Sequence, residues 1–386
     1  MSWKKKFVGN WGRLGMKCKL SDICDFRKGK VDVSNLTLKT YISTENMLPN
    51  KGGITVASSF PTVQLTQEYK KGDVLVSNIR PYFKKIWRAK NDGGCSNDVL
   101  VFQGNSNIDG DFLYYVLAND DFFAYSMATS KGTKMPRGDK TSIMQYEVPV
   151  FDVDTQRKIA SILRCLDEKI ELNSAINNNL EQQAQAIFKS WFIDFEPFSN
   201  RKPSDWSVST LDNVSIMGAG GDKPQNVSPI KTDLYEYPIY SNGLSNEGLY
   251  GFTDKPKISE ESVTVSARGT IGFVCLRHIP YVPIVRLVTL IPKTEIISAK
   301  YLYLWLKQLH ITGTGTTQQQ LTVPDFQKTE ILVPSQESVT LFTATVEPIF
   351  EKIWANQNEN EKLSSLRDTL LQKLMSGELD VSNIDL

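Results

Sequence analysis

Histidine is scarce in this chain, and cysteine is little used. Two histidines, His278 and His310, and five cysteines stand among 386 residues, and no cysteine pair has the Cys-x-x-Cys spacing. Zinc sites, disulfide frameworks and histidine-centred acid–base catalysis therefore have little to build on. No apolar run approaches the roughly 18 residues of a membrane span, and the basic N-terminus lacks the apolar stretch of a signal peptide. We expect a soluble, cytoplasmic protein with reduced thiols.

The motifs of several enzyme classes are also missing. The chain has no Asn-Pro-Pro-aromatic motif, with which amino-methyltransferases grip an exocyclic amine, and Gly313-Thr314-Gly315 lacks the third glycine of a dinucleotide loop. Gly29-Lys30 lacks the upstream glycine and the following Ser/Thr of a P-loop. Pro324-Asp325 with Glu330 begins like a nuclease carboxylate set, but the following Ile331-Leu332 supplies no lysine. The sequence predicts a chain that is not an enzyme by itself and has no metal or cofactor of its own.

The charge is near neutral in total but unevenly spread. Hydrophobic residues make up 40% and charged residues 23%, which is ordinary for two or three globular domains. Residues 1–155 hold 22 lysines and arginines against 16 acids, whereas residues 156–386 hold 22 against 27. A modest positive bias on a globular part fits a nucleic-acid partner without requiring one.

An internal repeat of about 180 residues organises the chain. Glu168-Lys169-Ile170 recurs 183 residues later as Glu351-Lys352-Ile353, and Leu20-Ser21-Asp22-Ile23 resembles Leu211-Asp212-Asn213-Val214. The segment 71–77 likewise resembles 261–266. A unit this long is no solenoid repeat, so the chain carries two copies of one domain-plus-helix module.

Each module ends in a helix with heptad spacing. The helices are predicted in segments 157–198 and 337–386, after globular domains at 1–156 and 199–336. Both helices have asparagines at matching heptad positions, and such asparagines fix the register of a coiled coil. We predict two tandem domains of mixed α/β (α+β) class joined by an antiparallel coiled coil with pseudo-twofold symmetry. The seam positions are Leu166, Ile170, Asn173, Asn177, Leu180, Ile187, Ile349, Ile353, Asn356, Asn360, Leu363 and Leu370.

Within each domain we predict short strands and polar loops. Strands are expected at 73–77, 99–102, 263–266 and 285–290 because these runs are rich in β-branched residues. Loops at 77–85 and 130–140 are basic, whereas their counterparts at 266–270 and 314–320 are richer in hydroxyl and amide groups. Arginine and glutamine commonly read base edges, and lysine and threonine contact phosphates. Such loops are often merely solvated, but equivalent loops with different chemistry favour two readers of different half-sites.

These features together resemble the specificity subunit of Type I restriction–modification enzymes. The resemblance is carried by Gly72-Asp73-Val74-Leu75-Val76-Ser77 with Arg80-Pro81, by the helix around 159–170, and by the closing motif at 366–379. It spans nearly the whole chain. The second copy departs from the first in having Ser262-Val263 where the first has Gly72-Asp73.

The resemblance implies a non-catalytic subunit that binds double-stranded DNA through two target recognition domains, one for each half of a bipartite site. It implies two modification subunits that dock on the helices and bring S-adenosylmethionine to methylate an adenine. Two restriction subunits using ATP and magnesium join in some systems. The residues predicted to face DNA are Asn78, Arg80, Lys84, Lys85, Lys131, Lys134, Arg137, Arg268, Thr270, Thr316, Gln318, Gln319 and Gln320.

Two other interpretations stay open at the level of sequence. A coiled-coil adapter joining two protein-binding domains would show no DNA affinity and no effect on methylation. A fused methyltransferase or nuclease would be active as an isolated chain, against which the missing motifs argue. The sequence does not specify the DNA word that is read, because recognition also depends on side-chain pose and DNA shape.

Overall fold

The computed structural model describes residues 16–313, 320–381 and 384. The chain divides into two compact units: the first holds the chain up to Asn173 and again from Asn358, and the second is Ser174–Gln357. Two long helices, Val153–Phe192 and Gln336–Ser376, each contribute one part to each unit. The units are therefore not successive halves of the sequence, because the last helix returns to the first unit.

The first unit is built from short strands and helices before the first long helix. Its strands are β1 (Lys17–Lys19), β2 (Cys24–Phe26), β3 (Lys30–Asp32), β4 (Tyr41–Ile42), β5 (Leu65–Tyr69), β6 (Val74–Ser77), β7 (Ile86–Arg88), β8 (Gly93–Cys95), β9 (Val99–Gly104) and β10 (Glu147–Pro149). Its shorter helices are α1 (Leu20–Ile23), α2 (Gly110–Ala118), α3 (Asp120–Ala128) and α4 (Lys140–Ile143). The sheets have the orders β2-β9-β6-β7 and β3-β5-β8-β4, and β1 pairs with β10.

The second unit follows the first long helix, α5 (Val153–Phe192). Its strands are β11 (Ser207–Thr210), β12 (Ser215–Ala219), β13 (Tyr237–Tyr240), β14 (Leu249–Thr253), β15 (Ser262–Val265), β16 (Val274–Arg277), β17 (Val282–Pro283), β18 (Val288–Pro292) and β19 (Glu330–Val333). Its helices are α6 (Leu211–Val214), α7 (Ala299–Gln308), α8 (Val323–Phe326) and the start of α9 (Gln336–Ser376). The sheets have the orders β12-β18-β15-β16 and β14-β13-β17, and β11 pairs with β19.

The two units repeat one plan, which confirms the predicted internal repeat. In each, a short antiparallel pair closes the domain, and a four-residue helix leads into the edge of a four-stranded antiparallel sheet. In each, the second sheet contains one parallel pair, β4 with β8 and β13 with β17. The central strands β6 and β15 are fully buried four-residue runs, as expected for β-branched strands covered on both faces. The mixed α/β class is confirmed.

The long helices are part of each domain's core. In the first unit, Leu163 of α5 and Leu374 of α9 are buried with sheet residues such as Phe102. In the second, Phe188 of α5 and Phe342 of α9 lie in one cluster with the β15 strand and α7. Helical stability thus comes mainly from packing of an apolar face against a domain.

The helices run antiparallel within each unit. In the first unit, Asp167 of α5 binds Arg367 of α9, and Asn173 binds Asn360, so the α9 number falls as the α5 number rises. In the second unit, Asn177 pairs with Asn356 and the Phe188 ring meets Phe342. Gly377, with a φ of 75°, ends α9 as its sequence position predicts. The antiparallel pairing is therefore confirmed.

Two sequence predictions are wrong in detail. The helix α5 begins at Val153 rather than at residue 157, and the strand expected at 285–290 begins only at Val288. Val285 and Arg286 instead have positive φ angles of 54° and 60°. A β-branched residue disfavours that conformation, so a propensity argument could not have found this turn.

Candidate nucleic-acid interface

The two basic loops predicted in the first unit lie side by side. The 78–85 loop joins β6 to β7, and the 130–138 loop joins α3 to α4. The Arg80 amide donates to the Pro136 carbonyl at 2.8 Å, and the Gly138 amide donates to the Asn78 carbonyl at 3.1 Å. Ile79 and Arg137 form an isolated antiparallel bridge. Backbone hydrogen bonds thus hold these distant segments together as one surface.

The 78–85 loop has an unusual backbone. Arg80 and Lys84 have φ angles of 49° and 50°, and they flank a helical turn at Pro81–Phe83. Positive φ at non-glycine residues is costly and is concentrated at functional sites. Two of the four predicted DNA-facing residues of this loop, Arg80 and Lys84, have this conformation.

Three of the six cations predicted on this surface form an ion pair with an acid. The Lys84 Nζ lies 2.8 Å from an Asp120 carboxylate oxygen, and an Arg137 nitrogen lies 3.3 Å from Asp98. Lys131 pairs with Asp139 and lowers the pKa of that carboxyl to about 2. The side chains of Lys131 and Arg137 are 80% and 55% exposed, so solvent screens both ion pairs and a phosphate can compete for the two cations.

Two other predicted cations differ in their surroundings. Lys134 is exposed, and within the described part of the chain no ion pair is found for it. Lys85 is turned inward: its Nζ donates to the Thr44 carbonyl at 2.6 Å and lies 5.8 Å from the centre of the Phe83 ring. Burial lowers the pKa of Lys85. Lys134 is therefore the more available of the two for an anionic ligand.

The second unit brings Arg268 and Gln320 together. Nε and a terminal nitrogen of Arg268 donate to the Gln320 Oε1 at 3.2 and 2.9 Å. The Leu321 amide donates to the Ala267 carbonyl at 3.0 Å, which joins the end of the 314–320 segment to the β15–β16 loop. Thr316, Gln318 and Gln319 lie outside the described residues.

Some polar atoms of these loops are not satisfied by the fold. Among the residues that the structure describes, buried side-chain atoms without a hydrogen-bond partner include Asn78 Oδ1, Arg80 Nε and Thr270 Oγ1. All three belong to the predicted DNA-facing set. An unpaired buried polar group costs about 1–3 kcal/mol, and such groups in a native structure call for a reason beyond folding.

A residue that the sequence analysis missed ties the loops of the second unit. Asn242 follows β13, and its Oδ1 accepts a hydrogen bond from the Ala267 amide at 2.7 Å. Its Nδ2 donates to the Val285 carbonyl at 2.7 Å. One side chain thus spans the β15–β16 loop and the turn before β18. The Ser-Asn-Gly run at 241–243 was a turn signal, but nothing local indicates which loops it joins.

The predicted seam residues lie within the helix pairs. In the first unit, Asn173 Nδ2 donates to Glu359 at 2.7 Å and to Asn360 Oδ1 at 2.9 Å. In the second, Asn177 Nδ2 donates to the Ile353 carbonyl at 3.1 Å. All twelve are buried or half-buried: Leu166, Ile170, Asn173, Asn360, Leu363 and Leu370 in the first unit, and Asn177, Leu180, Ile187, Ile349, Ile353 and Asn356 in the second.

The described ranges hold neither a candidate metal cluster nor a helix that could span a membrane. In those ranges no group of three or more histidine, cysteine, aspartate or glutamate side chains is placed to hold a metal ion. No helix there is both long and apolar enough to cross a membrane. All five cysteines are free thiols.

One family model matches most of the chain. The family model described as the Type I restriction modification DNA specificity domain matches twice, over residues 15–182 and 203–364. Each match holds one closed domain and the greater part of the long helix that follows it. The duplication seen in the fold is therefore also a duplication of this family's domain.

Individual relatives are similar over nearly their full length. The chain is 27% identical to the Type I restriction enzyme HindI specificity subunit of Haemophilus influenzae, covering 93% of this chain and 98% of that protein. It is also 27% identical to the MjaIX specificity subunit of Methanocaldococcus jannaschii, covering 92% and 88%. The crystal structure of the Type I restriction–modification S subunit from M. genitalium matches with a TM-score of 0.54 and 17% identity, over 96% and 98% of the two chains. That likeness shows a shared fold.

Proposed function

Because the chain belongs to the Type I restriction modification DNA specificity family, we propose that each of its two domains reads one half of a split DNA target. The chain itself carries out no chemistry in this proposal. It selects the sequence on which partner subunits act.

The repeated fold with altered loop chemistry carries the proposal. The two units share strand order and closing pairs. Yet the surface around Arg80 and Arg137 is rich in cations, whereas its counterpart around Arg268 and Gln320 joins a guanidinium to an amide. One scaffold with two sets of side chains suits one mode of binding applied to two DNA words.

The long helices have the dimensions of a spacer. The helix α5 has 40 residues and α9 has 41, which is about 60 Å each at roughly 1.5 Å per residue. In this proposal the helices set the number of base pairs between the half-sites, since sites one helical turn apart face the same side of the duplex.

The helices also serve as the docking surface for partners in this proposal. Two modification subunits bind there and supply S-adenosylmethionine, with which they methylate the exocyclic amine of a flipped adenine. In systems that restrict DNA, two motor–nuclease subunits with ATP and magnesium join them.

The closing strand pairs give clean boundaries for a test. Ser207 pairs with Val333 in β11–β19, and Lys17 pairs with Pro149 in β1–β10, so each domain begins and ends at one place. Replacing residues 207–333 with the matching domain of another specificity subunit is expected to change one half-site only. Methylation of cellular DNA by the assembled complex reports the result.

The reciprocal exchange is the matched control. Replacing residues 17–149 is expected to change the other half-site, with the same spacer in both hybrids. A hybrid in which both half-sites change, or in which neither changes while methylation persists, contradicts the assignment of one domain to each half.

A further inference from the structure

The turn before β18 in the second unit is strained and exposed. Val285 and Arg286 both have positive φ, and the Val285 side chain is 48% exposed. A β-branched residue at positive φ is a genuine outlier, and this one lies about half in solvent. Strained residues of this kind are concentrated at binding and catalytic sites.

The surrounding backbone holds this conformation firmly. The Val285 amide donates to the Gly221 carbonyl at 2.9 Å, and the Arg286 amide donates to the Gly220 carbonyl at 2.8 Å. A Cβ on Gly220 would lie 2.8 Å from backbone atoms of Ile284, so the glycine permits the close approach. The turn is thus a built feature rather than a loose loop.

The turn is joined to the loops already assigned to DNA. The Asn242 side chain accepts from the Ala267 amide and donates to the Val285 carbonyl, at 2.7 Å in each case. Ala267 precedes Arg268, which binds Gln320. The Val285–Arg286 turn and the Arg268 loop therefore share one short bridge.

The first unit has a turn at the equivalent position, without the positive φ angles and with the opposite charge. There the Ser96 amide donates to the Ile42 carbonyl, just as the Ile284 amide donates to the Tyr240 carbonyl in the second unit. Counting on from these residues places Asp98 where the second unit has Arg286.

Asp98 binds Arg137 at 3.3 Å. In the first unit, the acid of the turn thus binds a guanidinium from another loop. In the second unit, the turn itself carries the guanidinium, that of Arg286. Arg286 is exposed, and over the described ranges no ion pair is found for it.

We propose that Arg286 is a further specificity-determining residue of the second domain, which donates to the edge of a base in its half-site. The inference deepens the proposed function and rests on it. Arginine forms a bidentate pair with guanine N7 and O6, so a G·C pair is the expected partner. The hydrogen-bonded turn fixes the direction in which the side chain leaves the backbone before DNA binds.

The test uses the full complex with its modification subunits and the three variants R286A, R286K and R201A. Methylation rates are measured on duplexes that carry the target and every single-base substitution of both half-sites. With R286A, discrimination at one base pair of the second half-site should fall roughly 5- to 150-fold. Every position of the first half-site should be unchanged.

R286K separates base reading from simple charge. Lysine keeps the charge but not the planar fork, so R286K should lose discrimination at the same base pair as R286A. Arg201, an exposed arginine of the same unit that follows α5, is the control, and R201A should keep the complete pattern. Melting temperatures of the complexes check that all three variants fold.

Three results would overturn the inference. They are an unchanged pattern with R286A, a uniform loss of methylation on all duplexes, and a pattern restored by R286K. The last two would make Arg286 a phosphate contact. Failure of the proposed function looks different, since deletion of the whole chain would then leave methylation unaltered.

Discussion

Asp167 joins the first domain to both long helices, and its removal should destabilise the first unit. Its Oδ2 accepts a hydrogen bond from the buried Tyr115 hydroxyl of α2 at 2.7 Å. Its Oδ1 lies 2.7 Å from a nitrogen of Arg367 on α9. The D167A variant breaks both links at once.

The expected loss follows from these two contacts. A hydrogen bond to a charged group is worth about 1.5–3 kcal/mol, and the Tyr115 hydroxyl would be left buried without its acceptor. Arg367 keeps Asp368 at 2.9 Å, and Asp167 is 22% exposed, so the cost stays below that of a fully buried pair. We expect D167A to lower the free energy of unfolding of this unit by about 3–4 kcal/mol.

Calorimetry can measure the loss against a close control. For a unit of about 200 residues, 3–4 kcal/mol corresponds to a fall in melting temperature of roughly 6–16 °C. Glu168 is the next residue along α5, has the same charge, and forms an exposed pair with Arg164. E168A should therefore cost only about 0.3–0.5 kcal/mol.

A double-mutant cycle tests the assignment of the contact. Y115F should cost clearly less in the D167A background than in the unaltered chain, with a coupling of about 0.5–3 kcal/mol. Two results would contradict this assignment. One is a melting temperature of D167A equal to that of E168A, and the other is strict additivity of the free-energy losses of Y115F and D167A.

Two further predictions concern the second unit. Burial of the His278 ring against Trp354 lowers its pKa to about 4. Since the unfolded imidazole takes up its proton near pH 6.5, stability should fall as the pH drops from about 6.5 towards 4. Unfolding titrations of H278N should show a shallower fall, and equal slopes would contradict the shifted pKa. G220A should destabilise this unit by about 1–3 kcal/mol, because its Cβ would meet the Ile284 backbone. G218A is the control, since its Cβ would lie 4.0 Å from the nearest side-chain atom, and equal melting temperatures for both variants would refute the contact.

The architecture could be predicted because it follows from sequence patterns that extend over many residues. A repeat at an offset of 183 residues and two matched heptad stripes require two like domains and two paired helices. The apolar stripe was wider than the heptad positions indicated: Leu163 and Phe188 are among the most buried residues of α5. They are buried because the helices pack on the domains as well as on each other.

The surface was predictable only in part. Composition pointed to the loops around Arg80 and Arg268. The partners of their side chains depend on which strands pair with each other, and the sequence does not show that pairing. The contact of Asp98 with Arg137 depends on the pairing of β6 with β9 and on the bridge between Ile79 and Arg137, which no local signal shows. The Val285–Arg286 turn was hidden because its β-branched run predicts a strand.

The most direct test of the central claim is a base-resolution map of methylated adenines in the host genome, with this gene intact and deleted. The account predicts that deletion abolishes methylation at one split motif and leaves other motifs unchanged. It predicts that restoring the gene restores the same motif. An identical map in the two strains, with the modification subunits expressed in both, would contradict the claim that this chain selects the sequence.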